Sequence, residues 1–588
     1  MILDKVNMPN DLRKLTITEL EQLAGEMREL IIKKVNTTGG HLGPNLGIVE
    51  TTIAMHYVFN CPEDKIVFDV SHQCYPHKIL TGRKEGFLNP EKYNVFTGYT
   101  APEESTCDLF KVGHTSTSVS LAVGVAKARD LAGRKENVIA LIGDGSLSGG
   151  EAYEGLNNAA ILDSNIIIVI NDNDMSIAEN AGGLYQNLKL LRDTKGCAEL
   201  NFFKTLGFEY FYEDAGNNIG AMIEAFKKVK DTNKPTILHI KTLKGCGYKD
   251  AETDKETYHW ILPGTLDNKE NKTSIASNES YNSITTNFIL KKAEKDKNIV
   301  AISPATPGAC GFTKDFREKL GTQYVDVGIA EEHAVGYASA LAKNGAKPIL
   351  SVLSSFIQRT YDQLSQDLCL NMSPITLLIH WGAISGADCT HLGTFDIPLI
   401  ANIPNMVYLA PTNKEEYIQM LEWSTEQNKH PVAIRVPFGA VNSQGASDTT
   451  DYSKINRYKM TQIGKRVAII GAGNFYHLGL QAAKEIEHKL GFKPTIINPL
   501  YLSGIDYEML NNLKANHGLV ITLEDGCISG GFGEKISRYF GNSDMRVLNF
   551  GSDKEFTDRI PVDELYKRYH LTPELILQDV LKNLPVRI

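Results

Sequence analysis

Residues 138–177, VIALIGDGSLSGGEAYEGLNNAAILDSNIIIVINDNDMSI, decide how this chain is read. Val138 to Ile142 is an apolar run with the length of a buried parallel strand, and it breaks at Gly143-Asp144-Gly145. A helix-like segment follows, and a second apolar run, Asn165 to Ile170, ends in Asn171-Asp172-Asn173. Two buried parallel strands joined by a helix bring both polar ends to the carboxyl edge of one sheet, where α/β folds bind ligands. Asp144 and Asn173 are therefore expected close together. Their oxygens and the Met175 carbonyl make a hard donor set suited to Mg²⁺, while Gly143 and Gly145 let the backbone approach a ligand closely.

The rest of the chain sets bounds on this reading. Its 588 residues suffice for three or four domains with full cores. The hydrophobic share of 42% and charged share of 22% are those of a soluble globular protein. With 61 basic and 70 acidic residues, a net charge of −9 and no basic block, nucleic acid and anionic membrane are poor partners. The opening MILDKVNMPNDLRKL lacks the apolar core of a signal peptide, and no run reaches a membrane span, so a cytoplasmic location is expected. Nine scattered cysteines without C-x-x-C or zinc spacing read as reduced, buried side chains.

Upstream of the central stretch, Leu15 to Val35 has a helical pattern with Thr16 or Thr18 as N-cap, and it runs into Thr37-Thr38-Gly39-Gly40-His41. A further apolar helix, Ile48 to Val58, precedes the strand-like KIVFDV, which ends in Ser71-His72-Gln73. The loop Val112 to Ser118, with His114, leads into the small-residue helix SLAVGVAKA. Three histidines thus fall at element junctions around the GDG turn. In order, TTGGHLGPNLGIVE, DVSHQCYPHKILTGR, VGHTSTSVS, IGDG and NDNDMSI resemble the 1-deoxy-D-xylulose-5-phosphate synthase branch of the transketolase family. The Asp144 to Asn173 step resembles that family's thiamine diphosphate motif, in which Mg²⁺ carries the cofactor's diphosphate.

Downstream, the chain between Glu179 and Leu206 is shorter than the family's usual insertion, and Tyr248 and His259 fall on family positions. Residues 265–286 read as a polar linker, as do residues 443–456. Between them lies Tyr324-Val325-Asp326-Val327-Gly328-Ile329-Ala330-Glu331-Glu332-His333, a strand feeding a helix. The macrodipole accounts for a glutamate such as Glu332 at a helix start, whereas Glu331 matches the family's DVGIAEEHA. The third segment opens with RVAIIGAGN, which lacks the last glycine of a dinucleotide fingerprint and is weak evidence for NAD. The fold expected is α/β in a three-domain transketolase-like architecture, each domain a mainly parallel sheet flanked by helices. The domains run 1–264 for diphosphate and Mg²⁺, 287–442 for the aminopyrimidine, and 457–588 at the C-terminal end.

The resemblance implies a thiamine diphosphate-dependent transferase that decarboxylates pyruvate and joins the remaining two carbons to an aldehyde, the cofactor lying between the first two domains of a homodimer. It assigns Glu331 to the aminopyrimidine, where it helps deprotonate the thiazolium carbon, and His41, His72, His259 and His391 to proton traffic, with Asp388 in support. Gly113, His114, Thr115, Gly145, Ser146, Asn173, Tyr248, His72 and Phe356 join Glu331 around the cofactor, Asp144, Asn173 and Met175 hold the metal, and Arg359, Asp388 and His391 meet substrate. At three positions where the family contacts the phosphate of glyceraldehyde 3-phosphate, this chain has Leu353, Trp381 and Phe438. Neither aromatic residue replaces an arginine's bidentate fork. Glyceraldehyde 3-phosphate is thus one expected acceptor, and an unphosphorylated aldehyde against an apolar wall of Trp381 and Phe438 is another. Retention of Glu331 and the histidines argues against a third reading, a non-catalytic cofactor-binding paralogue.

Overall fold

The computed structural model describes residues 1–267 and 279–584. They form two compact units, the first of residues 1–267 with Gly328–Ala330, the second of the remaining described residues. In the first unit, helix Ile17–Thr38 starts at Thr16, whose hydroxyl accepts from the Glu19 amide 3.3 Å away while Glu19 reaches back to Thr16 N. This capping box settles the start that two threonines had left open.

Its strands are β1 (Gly40–His41), β2 (Lys65–Phe68), β3 (Val138–Gly143), β4 (Ile166–Asp172), β5 (Glu209–Glu213), β6 (Pro235–Lys241) and β7 (Trp260–Ile261). Strands β2-β3-β4-β6-β5 form one parallel sheet in that order. Ile139, Leu141, Ile167 and Val169 pack into one core with helices Ile17–Thr38, Val49–Val58 and Ile219–Val229. The alternate residues Val138, Ala140, Ile142, Ile166, Ile168 and Ile170 pack into another with helices Ser118–Leu131, Gly150–Ala159 and Gly183–Asp193. Side chains alternate across a strand, so a sheet covered on both faces needs the unbroken apolar runs seen in the sequence. β1 and β7 pair apart from this sheet as a two-residue antiparallel ladder.

The second unit holds two sheets. Strands β8 (Ile299–Ser303), β9 (Tyr324–Asp326), β10 (Lys347–Leu353), β11 (Thr376–His380), β12 (Val407–Leu409) and β13 (Val432–Arg435) are all parallel, in the order β12-β13-β11-β10-β8-β9. Strands β14 (Lys459–Gln462), β15 (Arg466–Gly471), β16 (Thr495–Asn498), β17 (His517–Cys527) and β18 (Arg546–Ser552) follow in the order β14-β16-β15-β17-β18, with only β14 antiparallel to its neighbour. Ile397, Tyr408 and Ala410 from beside the first sheet share a core with Ala468, Ile470, Leu502 and Phe532 from the other, and Leu409 bridges to Tyr501. The two segments that the sequence reads as separate domains pack against each other within this one compact unit. The expected α/β class, mainly parallel sheets flanked by helices, is what the chain adopts.

Residues 268–278 of the expected linker lie outside the described residues. Its last residues are helical instead, because Ser280 caps helix Tyr281–Lys295 and Tyr281, Ile284 and Ile289 are buried at helical spacing. Among the described residues no helix is long and apolar enough to cross a membrane.

Candidate functional site

At the carboxyl edge of the first sheet, Gly143 pairs with Asn171 and the Asp144 amide donates to the Asn171 carbonyl at 3.1 Å. Asp144 is buried, and its Oδ2 accepts from the Met175 amide (3.1 Å) and Asn180 Nδ2 (2.8 Å). Burial, with the Asp172 carboxylate nearby, pushes the Asp144 carboxyl up to about 7. Asp172 has its own partners, His239 Nε2 at 2.9 Å and Arg192 at 2.7 Å. The buried Asn173 Oδ1 has no hydrogen-bond partner among the described residues. Gly145 lies so close to Ser176 that a Cβ there would stand 2.9 Å from its side chain, which explains the glycine. The segment after Glu179 closes over this edge: Tyr185 on helix Gly183–Asp193 donates to the carbonyls of Asp144 (3.3 Å) and Gly145 (3.1 Å).

The loop bearing Gly113, His114 and Thr115 is tied to the same turn. Ser116 Oγ donates to the Ser146 carbonyl (2.8 Å), and the amides of Ser116 and Ser118 donate to buried Asp69 at 2.9 and 3.0 Å. Ser116 has φ +78°, and Val70 and Ser71, just before His72, have φ +56° and +63°. A β-branched residue in this left-handed region is an outlier, and such strain gathers at working sites.

His41, His72 and His259 converge. Their ring centroids are 4.9 Å (His41 to His72), 5.4 Å (His41 to His259) and 5.4 Å (His72 to His259) apart. Two backbone devices place them. The β1–β7 ladder sets His41 opposite Trp260, the neighbour of His259. Asn45, fully buried, donates its amide protons to the carbonyls of His41 and His72, both at 2.8 Å, and accepts from the Tyr75 amide at 2.9 Å. Burial, then the Lys244 charge, hold His259 well below the usual histidine range, so its imidazole is neutral at pH 7. Lys244 is itself buried, donates to the Ser176 carbonyl at 2.6 Å, and is pulled down by burial to about 7. Tyr248 packs edge-on to Tyr258, ring centroids 5.9 Å apart.

In the second unit Glu331 opens helix Glu331–Lys343 and is buried, which raises its carboxyl to about 7; Arg359, 3.4 Å away, opposes that rise. Phe356 lies edge-on to His391 at 5.6 Å. Asp388 Oδ1 accepts from the amide and hydroxyl of Thr390 (3.0 and 2.8 Å), whose oxygen is 2.8 Å from His391 Nδ1. Burial lowers His391 and Asp388 opposes it.

Comparison with known proteins bears on these two clusters. A family model described as 1-deoxy-D-xylulose-5-phosphate synthase matches residues 3–202 and 189–242. The transketolase pyrimidine-binding domain matches 280–443 and the transketolase C-terminal domain 457–576. A protein of Clostridium botulinum (strain Alaska E43 / Type E3) named 1-deoxy-D-xylulose-5-phosphate synthase is 38% identical over 99% of this chain and 99% of its own. The chain belongs to the 1-deoxy-D-xylulose-5-phosphate synthase family. A Halothermothrix orenii protein of the same name is 36% identical over 100% of this chain and 98% of its own. The crystal structure of transketolase from Campylobacter jejuni is similar at 17% identity and a TM-score of 0.43, over 97% of this chain and 100% of that one.

One expectation changes. Trp381 and Phe438 are 51% and 50% exposed, and the relatives' shared name gives the unphosphorylated acceptor that they were expected to meet no support. Leu353 is buried at the end of β10, opposite His380. Met175, whose carbonyl is the expected metal donor, also presents its N–H to Asp144 at 3.1 Å. Asn45 and Lys244 went unread in the sequence. Asn45 sits in the quoted GGHLGPNLG, and a side-chain bracket between two distant backbones has no local signature. Lys244, in KTLKGCGY, looks like any surface lysine until its burial is known.

Proposed function

We propose that the chain condenses pyruvate with glyceraldehyde 3-phosphate to give 1-deoxy-D-xylulose 5-phosphate on bound thiamine diphosphate and Mg²⁺. The observation carrying this reading is the meeting of His41, His72 and His259 in a family member whose GDG turn keeps a buried acid pushed up to about 7 by burial and the Asp172 carboxylate. When bound, the cofactor supplies a nucleophilic carbon that accepts the electrons released with CO₂.

The residues present fit the metal and the cofactor. Asp144 carries a burial penalty and Asn173 Oδ1 an unmet acceptor, and a divalent cation would relieve both. Asp144, Asn173 and Met175 would hold it, with Gly113, His114, Thr115, Gly145, Ser146 and Tyr248 around the diphosphate end. Glu331 and Phe356 would face the aminopyrimidine. An acid poised near 7 can hold or release a proton to a ring nitrogen at little cost. Neutral His259 accepts a proton from a substrate oxygen or donates one through its ring N–H. His41, His72 and His391 orient and protonate substrate oxygens, Asp388 sets His391 through Thr390, and Arg359 serves an anionic substrate group and Glu331. A cytoplasmic homodimer is the assembly the family resemblance favours, and sedimentation tests the dimer.

Purified protein given thiamine diphosphate and Mg²⁺ is expected to consume pyruvate only when glyceraldehyde 3-phosphate is present and to release one CO₂ per product. Absence of 1-deoxy-D-xylulose 5-phosphate under those conditions refutes the reading.

A further inference from the structure

The histidine cluster has a fourth aromatic neighbour. Tyr99 presents its ring to His41 at 6.1 Å between centroids and an interplanar angle of 73°. The chain around it is fixed with unusual care. The Thr97 amide donates to Glu104 Oε1 (2.7 Å), the Thr100 amide to Ser71 Oγ (2.9 Å) and the Ala101 amide to Asp108 Oδ2 (2.7 Å). Each anchor is itself held: Glu104 by Lys78, Ser71 through its bond to the Val112 carbonyl (2.6 Å), and Asp108 by Arg83 (2.5 and 2.9 Å) and His77 (2.7 Å). The glycines preceding Tyr99 and His41 also share one strut. A Cβ on Gly98 would lie 3.2 Å, and one on Gly40 2.9 Å, from the Tyr75 hydroxyl, so both segments close on the same buried tyrosine.

We propose that Tyr99 is a positioning residue for His41, acting through the near-perpendicular contact of the two rings, and that the Glu104–Asp108 network holds it in place. Aromatic edge-to-face contacts fix ring orientation, and a group that moves protons needs its support to be rigid. This inference rests on the reaction proposed above.

Kinetics and histidine-labelled NMR on the holoenzyme test it. Tyr99→Ala is expected to lower kcat roughly three- to tenfold, with thiamine diphosphate affinity unchanged and with a reduced order parameter for the His41 ring, whose resonance His41→Gln identifies. Tyr99→Phe should restore both. In a His41→Gln background Tyr99→Ala should cost nothing further. Ser71→Ala, which removes one anchor, should mimic a weaker Tyr99→Ala. Equal loss in Tyr99→Phe and Tyr99→Ala, an unchanged His41 order parameter, or full additivity with His41→Gln would each overturn the proposal. The order parameter needs no turnover, so a protein inert toward pyruvate whose His41 still responds to Tyr99 refutes the reaction and keeps the positioning role.

Discussion

Asp108 and Asp144 belong to the same unit and are both buried, yet their surroundings treat charge in opposite ways. Asp108 accepts from Arg83 twice, from His77 Nε2 and from the Ala101 amide. His77 in turn meets His56 at 2.8 Å through Nδ1. Those donors outweigh burial and hold the Asp108 carboxyl well below the usual range. Asp144 has two neutral donors on one oxygen, and a second carboxylate raises it further. Glu331 in the other unit follows Asp144, with one arginine at 3.4 Å against full burial. A buried acid whose charge the protein answers is framework. One whose charge is left for a ligand to answer belongs to a site.

The contrast breaks most sharply at Asp144. Asp144→Ala is expected to remove metal-dependent thiamine diphosphate binding and all turnover while the fold survives, because its direct hydrogen-bond donors are the neutral Met175 amide and Asn180 side chain. Calorimetric titration with and without chelator measures this, and chelator-insensitive binding in the wild type would sink the metal assignment. Glu331→Gln comes next. It should keep cofactor affinity and lose roughly 10²- to 10⁴-fold in kcat, the range of a lost general acid–base group. Wild-type turnover in this variant would remove Glu331 from the chemistry.

Asp108→Asn should do the reverse. It leaves Arg83 buried with its charge poorly met, at a cost to stability of about 3–5 kcal/mol, read from urea unfolding at pH 7. A loss under 1 kcal/mol would mean that the network is not the framework described.

How much of this was legible beforehand depended on whether the signal was local. The strand-turn pairs ending at Asp144 and Asn173 were readable because burial on both faces imposes unbroken apolar runs and glycines mark the turns. The histidines were readable as junction residues. That His41, His72 and His259 meet was legible only through the resemblance, because their approach depends on the Asn45 bracket and a two-residue ladder, neither of which leaves a periodic trace. The functional state of Glu331 was visible only as a resemblance, since Glu331 and Glu332 are the same residue type until one is buried and the other is not. The shared core of the last two sheets was hidden for a similar reason: core residues such as Tyr408 and Leu502 look alike whichever sheet they cover.

The smallest expected effect separates the two kinds of acid by pH. A carboxyl whose folded pKa is raised contributes its full stability below the unfolded value, near 4.5 for a glutamate, and loses it as pH rises through the folded value of about 7. At 1.36 kcal/mol per unit, ionising Glu331 in the cofactor-free protein costs about 3 kcal/mol by pH 8. Gln at this position never ionises. Glu331→Gln should therefore match the wild type at pH 5 and exceed it by about 2–3 kcal/mol at pH 8. Asp108 has the opposite sign: its depressed carboxyl contributes stability above about 3.8, so the deficit of Asp108→Asn should stay constant from pH 5 to 8. Urea unfolding of the three proteins at both pH values decides it. A Gln variant no more stable than wild type at pH 8 would show that Arg359 answers the Glu331 charge in full, and Glu331 would then join Asp108 as framework.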